Sequence, residues 1–279
     1  IASSNNSFVA GGLKMNGGVT GGKKAVEGRR GAAEGRRGSS GAAPAEAGAP
    51  AVVTSSGDVD ASLDAVYANL ASSDWAARKN GVTALANLVI EHGEALTARG
   101  RLLVLFDHLT PRLSDSNSKV NVTALQALQQ MVPALREGLP SVASTLVPAV
   151  ATSLASSNAQ VRSITPGILD ALVAGVDHGA LIQPFANCVL YSPPKARPAM
   201  IEKLRELSTS LYAAKPNLVV KHSVPTAFRL LEDNRADLRT GTVQLLRTLH
   251  VLLGPVLFDH AQRAPSTVQT RLSEVIQQV

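Results

Sequence analysis

A turn followed by an amphipathic helix recurs along most of this chain. The clearest copy covers residues 72–88, where Ser-Ser-Asp can cap a helix that Trp75 opens. Apolar residues then recur at helical spacing. Related turns begin near Ser114, Ser156 and Glu232. This repetition predicts an array of helices.

Helices can be predicted in pairs from residue 58 onward. We expect pairs at 59–70 with 75–92, 98–113 with 118–135, 140–154 with 159–176, 178–190 with 195–212, 217–231 with 235–253, and a shorter pair within 256–279. Equivalent positions in the second helices are spaced 43, 41, 35 and 42 residues apart, at Ala77, Val120, Val161, Ala196 and Leu238. Three of these steps fit two-helix HEAT or armadillo repeats. The predicted fold is all-α, an α-solenoid of about six HEAT-like pairs.

Leucines and prolines support this register. We expect a core built from Leu102, Leu105, Leu109, Leu125, Leu128, Leu146, Ile168, Leu169, Leu204, Leu207, Leu230, Leu246 and Leu249. Four prolines should kink their helices: Pro111, Pro133, Pro148 and Pro166. Four others lie near helix starts, where a missing N–H costs little: Pro140, Pro216, Pro255 and Pro265.

Residues 1–57 differ from the rest of the chain. They hold 13 of the 22 glycines and one aromatic residue, so we expect a disordered tail or linker before a folded domain at 58–279. The tail has seven Lys or Arg against three Glu, which accounts for most of the net charge of +6. Gly17–Lys23 fits part of a phosphate-binding loop, but no strand precedes it and Lys24 replaces the metal-binding hydroxyl residue.

Several classes of function are disfavoured. The folded part is not strongly basic, so we expect no nucleic-acid partner. No apolar run predicts a membrane span or a secretory signal, and a start at Ile1 suggests part of a longer chain. The six histidines show no metal spacing, and Cys188, the single cysteine, reads as buried and inert. We expect no cofactor, no metal and no catalytic site.

The turns inside successive pairs should line up along one edge of a solenoid, a usual place for binding residues. Basic residues outnumber acidic ones in these turns by eight to five. The candidate contact residues are Trp75, Arg78, Lys79, Lys119, Asn158, Arg162, Lys195, Arg197, Arg235 and Arg239.

Three of these turns resemble the intra-repeat loops of TOG domains. The matching stretches are Asp-Trp-x-x-Arg-Lys at 74–79, Leu-Ser-Asp-Ser-Asn-Ser-Lys-Val at 113–120, and Ser-Asn-x-x-Val-Arg at 157–162. Later turns, with Gln-Pro-Phe at 183–185 and residues 231–239, resemble the ciliary Crescerin group, and a cytoplasmic-linker-associated (CLASP-like) group comes second. The resemblance covers roughly residues 58–279.

The resemblance implies binding of αβ-tubulin or the microtubule lattice, in the cytoplasm and cytoskeleton or in a cilium. By the matching loops, Trp75 and Lys119 would face β-tubulin, and Arg235 would lie toward α-tubulin. Ala76 departs from the family, which often has Lys there. Gly81 weakens the following helix by up to about 1 kcal/mol, and Pro193-Pro194 stiffens the fourth turn.

Simpler interpretations of the same residues stay open. Trp75 could pack back onto its own helix pair, Arg162 and Arg239 could lie over neighbouring turns, and Asn117 and Asn158 could serve only as helix caps. A HEAT scaffold for another acidic protein could use the same basic residues.

Overall fold

The structure, a computed structural model, describes residues 56–277 of the chain. This part contains twelve α-helices and no strand. The helices are α1 (Ser56–Ala71), α2 (Trp75–Ala98), α3 (Leu102–Leu109), α4 (Ser118–Met131), α5 (Ala143–Ser153), α6 (Ala159–Gly175), α7 (His178–Tyr191), α8 (Arg197–Tyr212), α9 (Pro216–Glu232), α10 (Ala236–Leu253), α11 (Val256–Ala261) and α12 (Ser266–Gln277). The predicted all-α solenoid of six helix pairs is confirmed.

The predicted disordered tail lies almost entirely outside the described residues, as do its phosphate-loop-like segment and its basic clusters. Helix α1 begins at Ser56, two residues before the predicted start of the domain at residue 58.

Each pair packs on the next in two layers. The second helices contact one another in the series α2, α4, α6, and again in the series α8, α10, α12. The first helices α5, α7 and α9 are in contact in the other layer, and they connect the third pair to the fourth. Each helix therefore buries its apolar face against its partner and its neighbours, as expected for a solenoid.

The two predicted helix boundaries on either side of residues 93–97 were wrong. Helix α2 does not end at His92 but continues to Ala98, through a kink at which His92 has non-helical φ and ψ of −125° and 18°. The next helix consequently begins at Leu102 rather than at residue 98. The sequence predicted a helix end at the residue where α2 bends, and local periodicity could not show that the chain resumes a helix after it.

The prolines act in two ways. At Pro111 and Pro133 the α-helix gives way to short 3₁₀ turns, Thr110–Ser114 and Val132–Ala134. Each proline lies in the first turn of its 3₁₀ segment, where a missing N–H costs little. At Pro148 and Pro166 the helices α5 and α6 continue through the residue. The prolines predicted near helix starts lie at or beside the starts of helical turns.

All thirteen predicted core residues are buried, and they belong to one continuous cluster. Gly81 has a packing role in this core. A Cβ atom at this position would lie 3.0 Å from Asn69 Cβ and 3.0 Å from the backbone nitrogen of Leu70, so glycine lets α2 approach α1 closely. The low helix propensity of Gly81 is therefore offset by close packing of the first pair.

Candidate functional site

The turns inside the helix pairs lie along one edge of the stack, because successive helices run in opposite directions. We call residues 72–74, 115–117, 154–158, 192–196, 233–235 and 262–265 the turn edge. In the first three turns, side-chain oxygens of Asp74, Asn117 and Asn158 accept hydrogen bonds of 2.9–3.2 Å from N–H groups of the following helix. These caps determine where each second helix begins and which residues project from the edge.

Arg78 and Arg162 lie four residues after their caps and make the same contacts. Nη1 of Arg78 donates to the carbonyl oxygens of Ser72 and Ser73, at 3.0 and 2.8 Å. Nη1 of Arg162 donates to the two matching serine carbonyls of the third turn, at 2.7 and 2.8 Å. Both arginines therefore bind carbonyl groups of the turn that precedes their own helix.

Arg78 also joins the first turn to the second. Its Nε and Nη2 donate to the two oxygens of Asp115 at 2.8 and 2.9 Å, and Arg112 Nη1 donates to the same carboxylate at 3.0 Å. The Asp115 side chain is only 3% exposed. Burial opposes its ionisation, but hydrogen bonds from Arg78 and the Asn117 N–H, with the two guanidinium charges, lower its pKa below the ordinary value. We call Arg78, Arg112 and Asp115 the first clamp.

A second contact joins the fourth turn to the fifth. Arg197 Nε donates to the carbonyl oxygen of Val189 at 2.7 Å, and its Nη1 lies 3.0 Å from Asp233 Oδ2. Within the fifth turn, Arg235 makes a two-pronged pair with Asp237, at 3.1 and 2.6 Å. The hydrogen bond from Arg235, followed by its charge, holds the pKa of Asp237 below the ordinary value, although burial opposes this.

Trp75 is exposed where the first two turns meet. Its side chain opens α2 and is 39% exposed, a high value for an indole. Lys119 Nζ lies over the ring, 5.0 Å from its centroid, in the geometry of a cation–π contact. Lys79, also exposed, lines a shallow depression of about 230 Å³ together with Lys119 and Asn158. The result is an aromatic surface bordered by two lysines.

The ten predicted contact residues therefore fall into two groups. In five of them the side chain already makes hydrogen bonds within the chain: Arg78, Asn158, Arg162, Arg197 and Arg235. The other five are exposed at or beside the turn edge: Trp75, Lys79, Lys119, Lys195 and Arg239. Among the described residues, the side chains of Lys79, Lys195 and Arg239 make no hydrogen bond or ion pair.

Three residues that organise the edge were not among the predicted ones. Asp115 and Arg112 complete the first clamp, and their i,i+3 spacing with opposite charge is a signal that sequence inspection could have used. Arg271 of α12 donates to the carbonyl of Leu231 and, at 3.1 Å, to Asn234 Oδ1. It comes 37 residues after Asn234, so no local pattern indicates the contact.

Cys188 is buried in the last turn of α7, just before the fourth turn. Burial raises the pKa of the Cys188 thiol to about 12, which leaves it protonated and unreactive at neutral pH. Within residues 56–277, no three His, Cys, Asp or Glu side chains are grouped so that they could hold a metal ion. None of the described helices is both long and apolar enough to cross a bilayer.

Comparison with known proteins adds a relative and a set of solved folds. No protein-family profile matches the chain. It is 30% identical over 217 residues to TOG array regulator of axonemal microtubules protein 1 of mouse and of human, an alignment that covers 74% of this chain and 12% of each relative. The folded part superposes with a TM-score of 0.61 on the TOG domain of Zyg9 from C. elegans, at 14% identity, covering 81% of this chain and 88% of that one.

The described residues have the fold of a TOG domain. A second solved structure, described as "Crescerin uses a TOG domain array to regulate microtubules in the primary cilium", matches with a TM-score of 0.57 at 19% identity, covering 77% of this chain and 88% of that chain. The resemblance inferred from three turns is thus confirmed at the level of fold and of sequence. The chain spans about an eighth of the length of the curated relatives it matches.

Proposed function

We propose that this TOG domain binds αβ-tubulin, as the free heterodimer or in the microtubule lattice, through the turn edge. It would do so as one module of a longer protein acting on cytoskeletal microtubules, those of the axoneme or cilium included. Binding, rather than catalysis, is the proposed activity. The relatives support this proposal, because one is named a regulator of axonemal microtubules and another uses a TOG array to regulate microtubules in the primary cilium.

The observation that carries the proposal is the exposed Trp75 ring with Lys119 over it. Exposing an indole ring to water is unfavourable when the ring could be buried. Tryptophan is also among the residues most enriched at the centres of protein interfaces. The flanking Lys79 and Lys119 charges favour an acidic partner surface. Following the matching loops, Trp75 and Lys119 would face β-tubulin.

The first clamp and the Arg197–Asp233 ion pair support the proposal, because each holds two neighbouring turns of the edge together. Arg78 and Asp115 hold the first two turns in register, so Trp75 and Lys119 do not have to be ordered when the partner binds. A contact surface that is already ordered loses less conformational entropy on binding. The ion pair between Arg197 and Asp233 holds the fourth and fifth turns together in the same way.

Sedimentation with microtubules, beside gel filtration with free tubulin, tests the proposal. Trp75→Ala and Lys119→Glu should each weaken binding, Trp75→Ala by about thirtyfold, the scale of an aromatic anchor worth ~2 kcal/mol. Arg136→Glu is the matched control, because Arg136 is exposed in the turn that follows α4, on the opposite edge. Normal binding by both turn-edge variants, or an equal loss with Arg136→Glu, would overturn the proposal.

The basic tail has to be separated from the domain in this experiment. Tail charges would act on an acidic partner through a field that salt screens within about 8 Å at physiological ionic strength. The turn-edge substitutions Trp75→Ala and Lys119→Glu should weaken binding at low and at physiological salt. Variants in which the basic residues of the tail are replaced by neutral ones should weaken it mainly at low salt. An affinity that depends on the tail alone would contradict the proposal.

A further inference from the structure

A cavity of about 350 Å³ opens at the C-terminal end of the turn edge, between the fifth turn, α10 and α12. Val243 and Val275, both partly exposed, contribute apolar surface to it, and Arg235, Arg239 and Arg271 also line it. The three arginines come from three different elements. The cavity therefore depends on the last helix pair, to which the sequence assigned no function.

The arginines have spare hydrogen-bonding capacity. Arg239 makes no hydrogen bond or ion pair with any side chain or carbonyl among the described residues. Arg271 is held by Leu231 O and Asn234 Oδ1, which accept two of its five N–H donors. Its guanidinium is thus fixed in position but not saturated. An anion that entered would meet one oriented and one uncommitted guanidinium.

The acidic residues at the cavity only partly cancel this charge. Asp233 lies 3.0 Å from Arg197 Nη1, and Asp237 is occupied by Arg235. Glu274 lines the cavity but makes no ion pair within the described chain. Arg239 and Arg271 together therefore outweigh Glu274 as charges available to a ligand.

The combination of arginine and apolar surface selects a ligand class. A guanidinium binds carboxylate or phosphate through paired N–H donors. The apolar surface from Val243 and Val275 adds contact for methylene groups, which a glutamate side chain has and inorganic phosphate lacks. We propose that the cavity binds a glutamate-rich segment of an acidic protein partner, with its carboxylates on Arg239 and Arg271. The partner's identity as tubulin rests on the function proposed above, but the binding chemistry does not.

Fluorescence anisotropy with labelled hexaglutamate tests this inference on the full chain. The background protein carries Arg29→Gln, Arg30→Gln, Arg36→Gln and Arg37→Gln, so that the tail does not dominate an electrostatic contact. Arg239→Ala and Arg271→Ala should each weaken binding about tenfold, the scale of one charged hydrogen-bonded contact. Arg136→Ala on the opposite edge should leave it unchanged, and hexaaspartate should bind more weakly than hexaglutamate.

Arg239→Ala is the safer variant, because the Arg239 side chain makes no hydrogen bond or ion pair among the described residues, and it keeps the test valid if Arg271→Ala unfolds. Absence of hexaglutamate binding, or an equal loss with Arg136→Ala, would overturn the inference. Displacement of the peptide by inorganic phosphate at matched charge would overturn the choice of carboxylate. If the peptide fails to bind while Lys119→Glu still weakens microtubule sedimentation, this inference falls and the proposed function stands.

Discussion

Asp115→Asn tests whether the first clamp holds the first two turns together. The substitution keeps the size of the side chain but removes its charge and turns half of it into a donor facing two arginines. The carboxylate is 3% exposed and accepts bonds of 2.8 and 2.9 Å from Arg78, 3.0 Å from Arg112 and 2.9 Å from the Asn117 N–H. All four contacts are weakened or lost together.

The expected cost follows from the burial of the pair. Removing one partner of a buried ion pair costs about 3–5 kcal/mol. Arg78 and Arg112 keep some contact with water, at 12% and 21% exposure, so the lower end applies. A loss of ~3 kcal/mol in a domain of this size lowers the thermal midpoint by about 6–12 °C. Circular dichroism at neutral pH measures this directly.

The pH dependence gives a second, independent readout. The folded-state pKa of Asp115 lies below its ordinary value, so its stabilisation is present above the unfolded-state pKa of about 4 and is lost as pH falls through the folded-state pKa. The difference in midpoint between parent and Asp115→Asn should therefore be largest near neutral pH and shrink below about pH 4.

Asp237→Asn is the matched control. It also removes a two-pronged arginine pair at the turn edge, but Asp237 is 47% exposed, and exposed ion pairs contribute little to stability. Its midpoint should move by less than about 2 °C. The clamp account is refuted if both variants shift the midpoint equally, or if the Asp115→Asn difference does not change with pH.

Three further outcomes are expected. Trp75→Ala should leave the thermal midpoint within a few degrees of the parent while tubulin affinity falls, because the ring is exposed; a large loss of stability would show that it packs into the core. Gly81→Ala should destabilise the domain by ~1–3 kcal/mol despite better helix propensity, whereas Gly175→Ala, whose Cβ would meet nothing closer than 3.6 Å, should not; equal urea midpoints would contradict the close packing of α1 and α2. The Cys188 thiol should resist maleimide at pH 8 in the native protein and react in denaturant, as mass spectrometry would show; rapid native labelling would contradict its burial.

The helices could be predicted from sequence because their signals are local. Caps such as Asn117 and Asn158, followed by apolar residues at helical spacing, place the starts of α4 and α6 within a residue of the observed positions. The kink at His92 was harder, because a helix that bends and one that ends look the same until the next residues pack.

The roles of the turn residues could be predicted only in part. An arginine in a polar turn has the same sequence signature whether it faces solvent or donates to a carbonyl. Arg78 is engaged by Asp115, 37 residues away, and Arg271 reaches Leu231, 40 residues away. Such pairings depend on how repeats stack, which a single turn does not reveal. For Trp75 the residues alone left open a ring packed back onto its own helix pair, and the family resemblance favoured exposure.

Hydrogen–deuterium exchange of the full chain, with and without αβ-tubulin, tests the central claim most directly, because it reports which edge the partner covers. The account predicts slower exchange in peptides that contain the start of α2 beside Trp75, the start of α4 beside Lys119, and the fifth turn up to Arg239. Peptides from the opposite edge, such as those around Arg136, should not change. Protection confined to the opposite edge, or to residues 1–57, would contradict the claim that the turn edge binds tubulin.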